Sequence, residues 1–167
     1  MSDAGTIRDM TADDIDAVAA LEREIFSDPW PRSAFHEILT VANRINLVLI
    51  APEGHLVGYV LGQVVLDELQ VQNIAVAPAA RRRGWGALLL RAVEQRAKDR
   101  GALCAVLDVR SQNAPALGLY QRFGYRMIGR RKNYYRRPVD DALVLFRRLD
   151  RDDKLPAGEE PDHGMVP

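Results

Sequence analysis

The sequence lacks most of what would mark a secreted, membrane-bound or metal-clustered protein. Cys104 is the only cysteine in 167 residues, which excludes a disulfide framework and a thiolate metal cluster. His36, His55 and His163 are scattered without ligand spacing, so no metal is expected. No apolar run approaches the ~20 residues of a membrane span. The opening Met-Ser-Asp-Ala-Gly has neither a basic segment nor an apolar core, so no signal peptide is expected. Net charge is missing too, with 23 Lys+Arg against 23 Asp+Glu. These absences point to a cytoplasmic protein with no membrane partner.

What is present suits one globular domain. The chain is 47% apolar and 28% charged, an ordinary soluble composition, and long enough to bury a sizeable core. Its charge is unevenly spread. Residues 150–167 hold six acids and two bases, which leaves 21 bases and 17 acids in residues 1–149. A mildly basic body suits a polyanionic cofactor but falls far short of a nucleic-acid footprint, so no direct nucleic-acid binding is expected. Residues 1–150 read as the domain and 151–167 as an acidic tail, expected to be disordered because it has few apolar residues to bury. Whether the chain is a monomer or a weak dimer stays open.

Ile7–Met10 reads as a short first strand. Thr11 caps a helix over 12–26, with Asp13 and Asp14 in its first turn. Pro29 and Pro31 break it, and Ser33 restarts a shorter helix through Leu39. Strands follow at Ile45–Ala51, Leu56–Leu66 and Leu69–Val76, the first two joined by the turn Pro52-Glu53-Gly54-His55. Residues 84–100 carry Leu89, Leu90, Val93 and Ala97 at helical spacing, and Gly101 ends that helix. Leu103–Val109 is a nearly continuous apolar run, expected to be a parallel strand covered on both faces. Asn113 caps a helix bearing Ala116, Leu119, Tyr120 and Phe123. Tyr125–Gly129 and Ala142–Leu149 close the domain as two strands, with a linker between them. The order predicts an α/β fold with one parallel step inside a mostly antiparallel sheet, because a helical crossover links parallel strands.

Residues 73–86, Asn-Ile-Ala-Val-Ala-Pro-Ala-Ala-Arg-Arg-Arg-Gly-Trp-Gly, stand at the centre of that plan. Pro78 ends a strand; Gly84 and Gly86 then lead into the strongest helix. Unpaired N–H groups at a helix N-terminus, aligned with its dipole, favour a phosphate. The turn is no P-loop, since no Gly-Lys-Ser/Thr follows, and its spacing is not that of a dinucleotide fingerprint. The basic residues at 126, 130, 131, 132, 136 and 137 read as a solvated face. Cys104 reads as a small packed hydrophobe.

Asn73-Ile-Ala-Val-x-Pro, Arg81-x-x-Gly84-x-Gly86, and Asn113 followed by Leu119-Tyr120-x-x-x-Gly124-Tyr125 together resemble the GNAT N-acetyltransferases. Gln63–Glu68, Leu107-Asp-Val-Arg110 and Asn133-Tyr-Tyr135 extend the resemblance to its RimI branch, which acetylates the N-terminal alanine of a ribosomal protein. The likeness covers about residues 7–149. It implies a central sheet of six to seven strands with about four helices, splayed at the parallel pair that holds acetyl-CoA. It further implies direct attack by the α-amine of a peptide in a ternary complex.

By that resemblance, the backbone of Arg81, Arg82, Arg83, Gly84, Trp85 and Gly86 would hold the pyrophosphate. Ile74, Ala75 and Val76 would line the pantetheine, with the Val76 N–H as oxyanion donor. Asn113 would contact the cofactor, fix the next helix beside it, or both. Tyr120 would be the general acid, since a phenol near pKa ~10 is protonated beside a leaving thiolate near ~8.5. The base is open between Asp108, standing where the branch carries glutamate, and Glu68. An α-amine near pKa ~8 is easily deprotonated, so water alone could also serve. The branch's target follows its alanine with basic residues, so acids should line the peptide groove. Asp67 and Glu68 are placed for that, and Tyr134 could close over the peptide. A GNAT enzyme for a lysine side chain, polyamine or antibiotic, and a non-catalytic CoA-binding module, are the rival readings.

Overall fold

The structure, a computed structural model, describes residues 5–151. Among these residues, seven strands form one sheet in the order β1-β2-β3-β4-β5-β7-β6. In chain order they are β1 (Thr6–Asp9), β2 (Arg44–Ile50), β3 (Leu56–Val65), β4 (Glu68–Val76), β5 (Cys104–Arg110), β6 (Arg126–Arg136) and β7 (Val139–Arg148). Only β4 and β5 run parallel; every other neighbouring pair is antiparallel. The helices are α1 (Ile15–Ile25), α2 (Arg32–Ile38), α3 (Trp85–Asp99) and α4 (Ala114–Arg122).

Two apolar clusters fix the layers. Alternate side chains of a strand face opposite sides of a sheet, and the buried residues divide accordingly. Leu47, Leu49, Val60, Leu69 and Val71 pack with Leu89, Leu90 and Val93 of α3 and with Tyr120 of α4. Val48, Tyr59, Leu61 and Ala75 pack on the opposite face with Ile15 and Val18 of α1 and Phe35 of α2. Each fully buried aliphatic or aromatic chain contributes about 1.5–3 kcal/mol. The two clusters therefore clamp α3 and α4 to one face and α1 and α2 to the other.

The predicted start at Thr11 is present in a modified form. A short 3-10 turn, Ala12–Asp14, precedes α1. The Asp14 carboxylate accepts from the Thr11 backbone N–H at 2.8 Å and from Arg8 at 2.7 and 2.8 Å. Arg8 and the Thr11 bonds hold the Asp14 carboxyl below the usual carboxylate range.

Glycines on β3 seat α3. A Cβ on Gly58 would lie 3.1 Å from Leu89 Cδ1, and one on Gly62 would lie 3.0 Å from Val93 Cγ2. Bare backbone at both points lets α3 lie close against the sheet, which sets its N-terminus beside the end of β4.

Two expectations need correction. β5 is not covered on both faces: Ala105, Leu107 and Val109 are buried, while Asp108 is exposed and Val106 and Arg110 are half-buried. Its parallel partnership is short, and antiparallel β7 is its longer neighbour. The expected linker is also absent. β6 continues to Arg136 and β7 begins at Val139, making a long hairpin with a tight turn. Its basic residues hid the strand because most of β6 lies in solvent, so no apolar alternation marks it.

Candidate active site

A bulge opens the sheet. Leu61 pairs with Asn73 and the next residue, Gly62, pairs with Val71, so Gln72 is surplus in β4. A residue inserted in this way bends its strand and interrupts pairing. The parallel ladder between β4 and β5 runs only from Glu68–Cys104 to Val71–Leu107 and stops there. Past Gln72 the two strands diverge into a cleft whose apex lies at Val71 and Leu107.

The free backbone of β4 faces that cleft. The Ala77 N–H donates to Val57 O of β3 at 2.7 Å. Peptide groups alternate sides along a strand, so those of Ala75 also face β3. The Ile74 and Val76 groups face the other way, where β5 has left. Arg81 Nε donates to Val76 O at 3.3 Å, tying the next turn to the mouth of the cleft.

That turn is a set of unused donors. Among the described residues, no partner accepts from the backbone N–H groups of Arg82 through Ala87. Arg82 and Gly84 have positive φ, 67° and 76°, which curls the chain so that successive N–H groups point together into an anion-binding concavity. Gly84 caps α3 in the left-handed conformation that favours glycine. The Trp85 ring is buried in the core, with Arg83 stacked 5.2 Å above it. Only the Trp85 N–H is therefore available to a ligand.

Asn113 is an N-cap: its Oδ1 accepts from the Ala116 N–H at 3.3 Å. Leu119 of α4 lies against the start of α3, 3.5 Å from where a Cβ on Gly86 would sit. Tyr120 follows it, 4% exposed, with its ring 5.6 Å edge-on from Tyr125. Its hydroxyl has no hydrogen-bond partner among the described residues. Yet the one sealed and unpartnered side-chain polar atom among them is Arg44 Nε. The Tyr120 hydroxyl is thus not walled off by apolar packing. Burial, and secondarily Tyr135, push its phenol well above the usual tyrosine range.

Asp108 is the first residue of β5 past the last rung of the parallel ladder. Its side chain is one-third exposed and 3.7 Å from Arg131 Nε, a loose pair worth little. Tyr135 completes the group. Burial and then the Asp108 carboxylate push its phenol up to about 12. Tyr135 thus interacts electrostatically with both the candidate acid and the candidate base. Tyr134, the tyrosine singled out from the sequence, is 52% exposed beside Arg131. Adjacent strand residues point to opposite faces, and the doublet alone does not say which tyrosine faces inward.

Asp67 and Glu68 are not brought to this site. Glu68 pairs with Cys104, four residues before Asp108, or about 13 Å along the strand. It stands eight residues before Val76, about 26 Å at the same rise. The Asp67 carbonyl instead accepts from the Leu103 N–H at 2.7 Å, closing the foot of the sheet. Arginines occupy the place where acids were expected. Arg110 and Arg131 flank Tyr135 and Asp108, and Arg136 and Arg137 continue the rim as exposed residues.

A sheet with a bulged strand splayed from its parallel neighbour, and a donor-rich turn at its mouth, can now be set beside known proteins. A model described as the acetyltransferase (GNAT) family matches residues 15–125. The chain belongs to the GNAT family. Among GNAT relatives, a putative ribosomal protein bS18-alanine N-acetyltransferase of Bacillus subtilis is 36% identical over 146 residues, 87% of this chain and 97% of its own length. The N-alpha-acetyltransferase RimI of Mycobacterium tuberculosis is 37% identical, over 85% of this chain and 91% of its own. The crystal structure of the ribosomal-protein-S18-alanine N-acetyltransferase from Escherichia coli superposes with a TM-score of 0.80 at 28% identity, covering 91% of this chain and 98% of that one. The sheet and helices described above are therefore the GNAT fold, and the chain is an acetyltransferase of that family.

Proposed function

We propose that this GNAT enzyme transfers acetyl from acetyl-CoA to the N-terminal α-amine of a protein, with the N-terminal alanine of a ribosomal protein as acceptor. The observation that carries the donor half is the run of six unused N–H groups, Arg82–Ala87, at the mouth of the β4–β5 cleft. Such a run suits a pyrophosphate. The activities of the Bacillus and Escherichia relatives, on the alanine of ribosomal protein S18, and the N-alpha-acetyltransferase activity of the Mycobacterium relative support the acceptor half.

The position of the donor-rich turn at the mouth of the cleft supports one direction for the donor. With the pyrophosphate at the turn, the pantetheine runs down the cleft towards its apex, past Val76 and then Ile74. The Ile74 N–H, nearer the apex, is the better placed donor to the thioester oxygen; Val76 serves the arm above it. Attack by the amine forms the C–N bond and breaks the C–S bond. The amine's proton passes to Asp108, through a water because aspartate is short, and the departing thiolate takes a proton from Tyr120. Tyr135, which interacts electrostatically with both, contacts the acceptor.

Asp108→Asn should lower kcat/KM by about 10- to 100-fold at neutral pH. The deficit should shrink as pH rises past ~8, where the α-amine deprotonates without help. A pH profile measures this; a mutant profile parallel to wild type would remove Asp108 as base.

The assay that decides the function offers acetyl-CoA with an alanine-start peptide, the same peptide blocked at its N-terminus, and free polyamine. Activity is expected on the open peptide only. Turnover of the blocked peptide would point to a lysine side chain instead. The arginine rim already disfavours a polyamine. Peptides beginning Ala-Arg and Ala-Asp, compared directly, report what that rim selects.

A further inference from the structure

We propose that Arg110 is a positioning residue that latches the β6–β7 hairpin to the α1–α2 loop and so fixes the acceptor's path to Asp108. The inference rests on the acetyl-transfer reading. Arg110 is the last residue of β5, two beyond Asp108 and on the same face of the strand. Its guanidinium lies 4.2 Å from the centre of the Tyr135 ring. One nitrogen donates to Pro138 O at 2.9 Å. The other donates to Arg137 O at 3.3 Å and to Ser27 Oγ at 3.5 Å. The Ser27 hydroxyl in turn donates to Arg137 O. Ser27 belongs to the α1–α2 loop, 110 residues from Arg137 in sequence.

One side chain thus ties the end of β5, whose own ladder to β7 stops at Ala142 and Asp141, to the hairpin turn beyond that ladder and to the loop after α1. The result is a bridge over the end of β5, beside the candidate base. An acceptor reaching Asp108 must pass beneath it, which admits an extended chain end more readily than a side chain on a folded surface. Only arginine suits this place. Its flat fork stacks on a ring while donating to several carbonyls at fixed angles, whereas lysine offers a single point.

The full chain with Arg110→Met keeps the packing over Tyr135 and loses the donors. We expect the KM for an alanine-start peptide to rise about tenfold or more, with the KM for acetyl-CoA within about twofold. Hydrogen exchange of amides 135–141 should speed up. Arg110→Lys should not restore either property. Ser27→Ala, at an exposed site that cannot unfold the core, should shift both in the same direction and by less. Unchanged peptide KM and unchanged hairpin exchange in Arg110→Met would overturn the proposal, as would an equal rise in both KM values. If the wild-type chain turned over no peptide, the acetyl-transfer reading would fall, and the hairpin exchange would still decide whether the latch exists.

Discussion

Tyr120→Phe is expected to lower kcat by about 10²- to 10³-fold while leaving acetyl-CoA affinity and melting temperature nearly unchanged. Removing a general acid removes a factor of this order, or ~3–4 kcal/mol of barrier at 1.36 kcal/mol per decade. The variant is clean because the ring does the packing. Tyr120 is 4% exposed and stacked edge-on against Tyr125, and phenylalanine keeps both contacts. The hydroxyl has no hydrogen-bond partner among the described residues, so its loss orphans nothing. A phenol pushed up by burial stays protonated throughout the pH range in which the reaction would be assayed. Steady-state kinetics beside a calorimetric cofactor titration would test this. An unchanged kcat would return Tyr120 to a purely structural place in α4.

Glu22→Ala should have the largest effect on stability, about 3–5 kcal/mol. Glu22 is 1% exposed, yet its carboxyl group has three donors around it. Asn73 Nδ2 donates at 2.8 Å, the Trp30 backbone N–H at 3.1 Å, and the Tyr59 hydroxyl completes the set. Alanine would leave a cavity, the buried Tyr59 hydroxyl unsatisfied, and the half-buried Asn73 and Trp30 donors without their acceptor; a donor that water cannot reach costs about 1–3 kcal/mol. Removing one side of a buried polar cluster typically costs 3–5 kcal/mol in total, a large share of a normal domain's 5–15. At about 2–4 °C per kcal/mol, thermal unfolding should fall by roughly 10 °C. Glu22→Gln, which keeps the volume and most acceptors, should lose less than half of that. Equal losses for Ala and Gln would mean that charge, not the bonding pattern, is what matters.

Features carried by local signals were legible in the sequence. Pro78, Gly84 and Gly101 bound α3 and its donor turn within about one residue, since each acts through its own backbone. Asn113 capped α4 as expected. Long-range arrangements were not legible. Glu22 meets Tyr59 and Asn73 across 37 and 51 residues, and nothing near Glu22 announces either partner. Asp67 and Glu68 stood close to the cofactor motif in sequence, but a strand advances ~3.3 Å per residue and carried them to the far end of the sheet. The hairpin was missed for a related reason. An edge strand guarded by arginines avoids further pairing and so shows none of the alternation by which strands are recognised.

The bulge at Gln72 has a consequence for how this sheet could have evolved or could be altered. Without it, β4 and β5 could continue their ladder towards their ends, gaining hydrogen bonds and covering the peptide groups of Ile74 and Val76. A one-residue deletion there would also turn Asn73 away from Glu22, since a slip of one position reverses every side chain beyond it. The surplus residue is therefore a deliberate dislocation in an otherwise regular lattice. It gives up cohesion between two strands in exchange for room between them, as stability is commonly exchanged for activity. Selection for thermostability alone would press on this point first, and repairing it would yield a firmer sheet with no berth for a thioester.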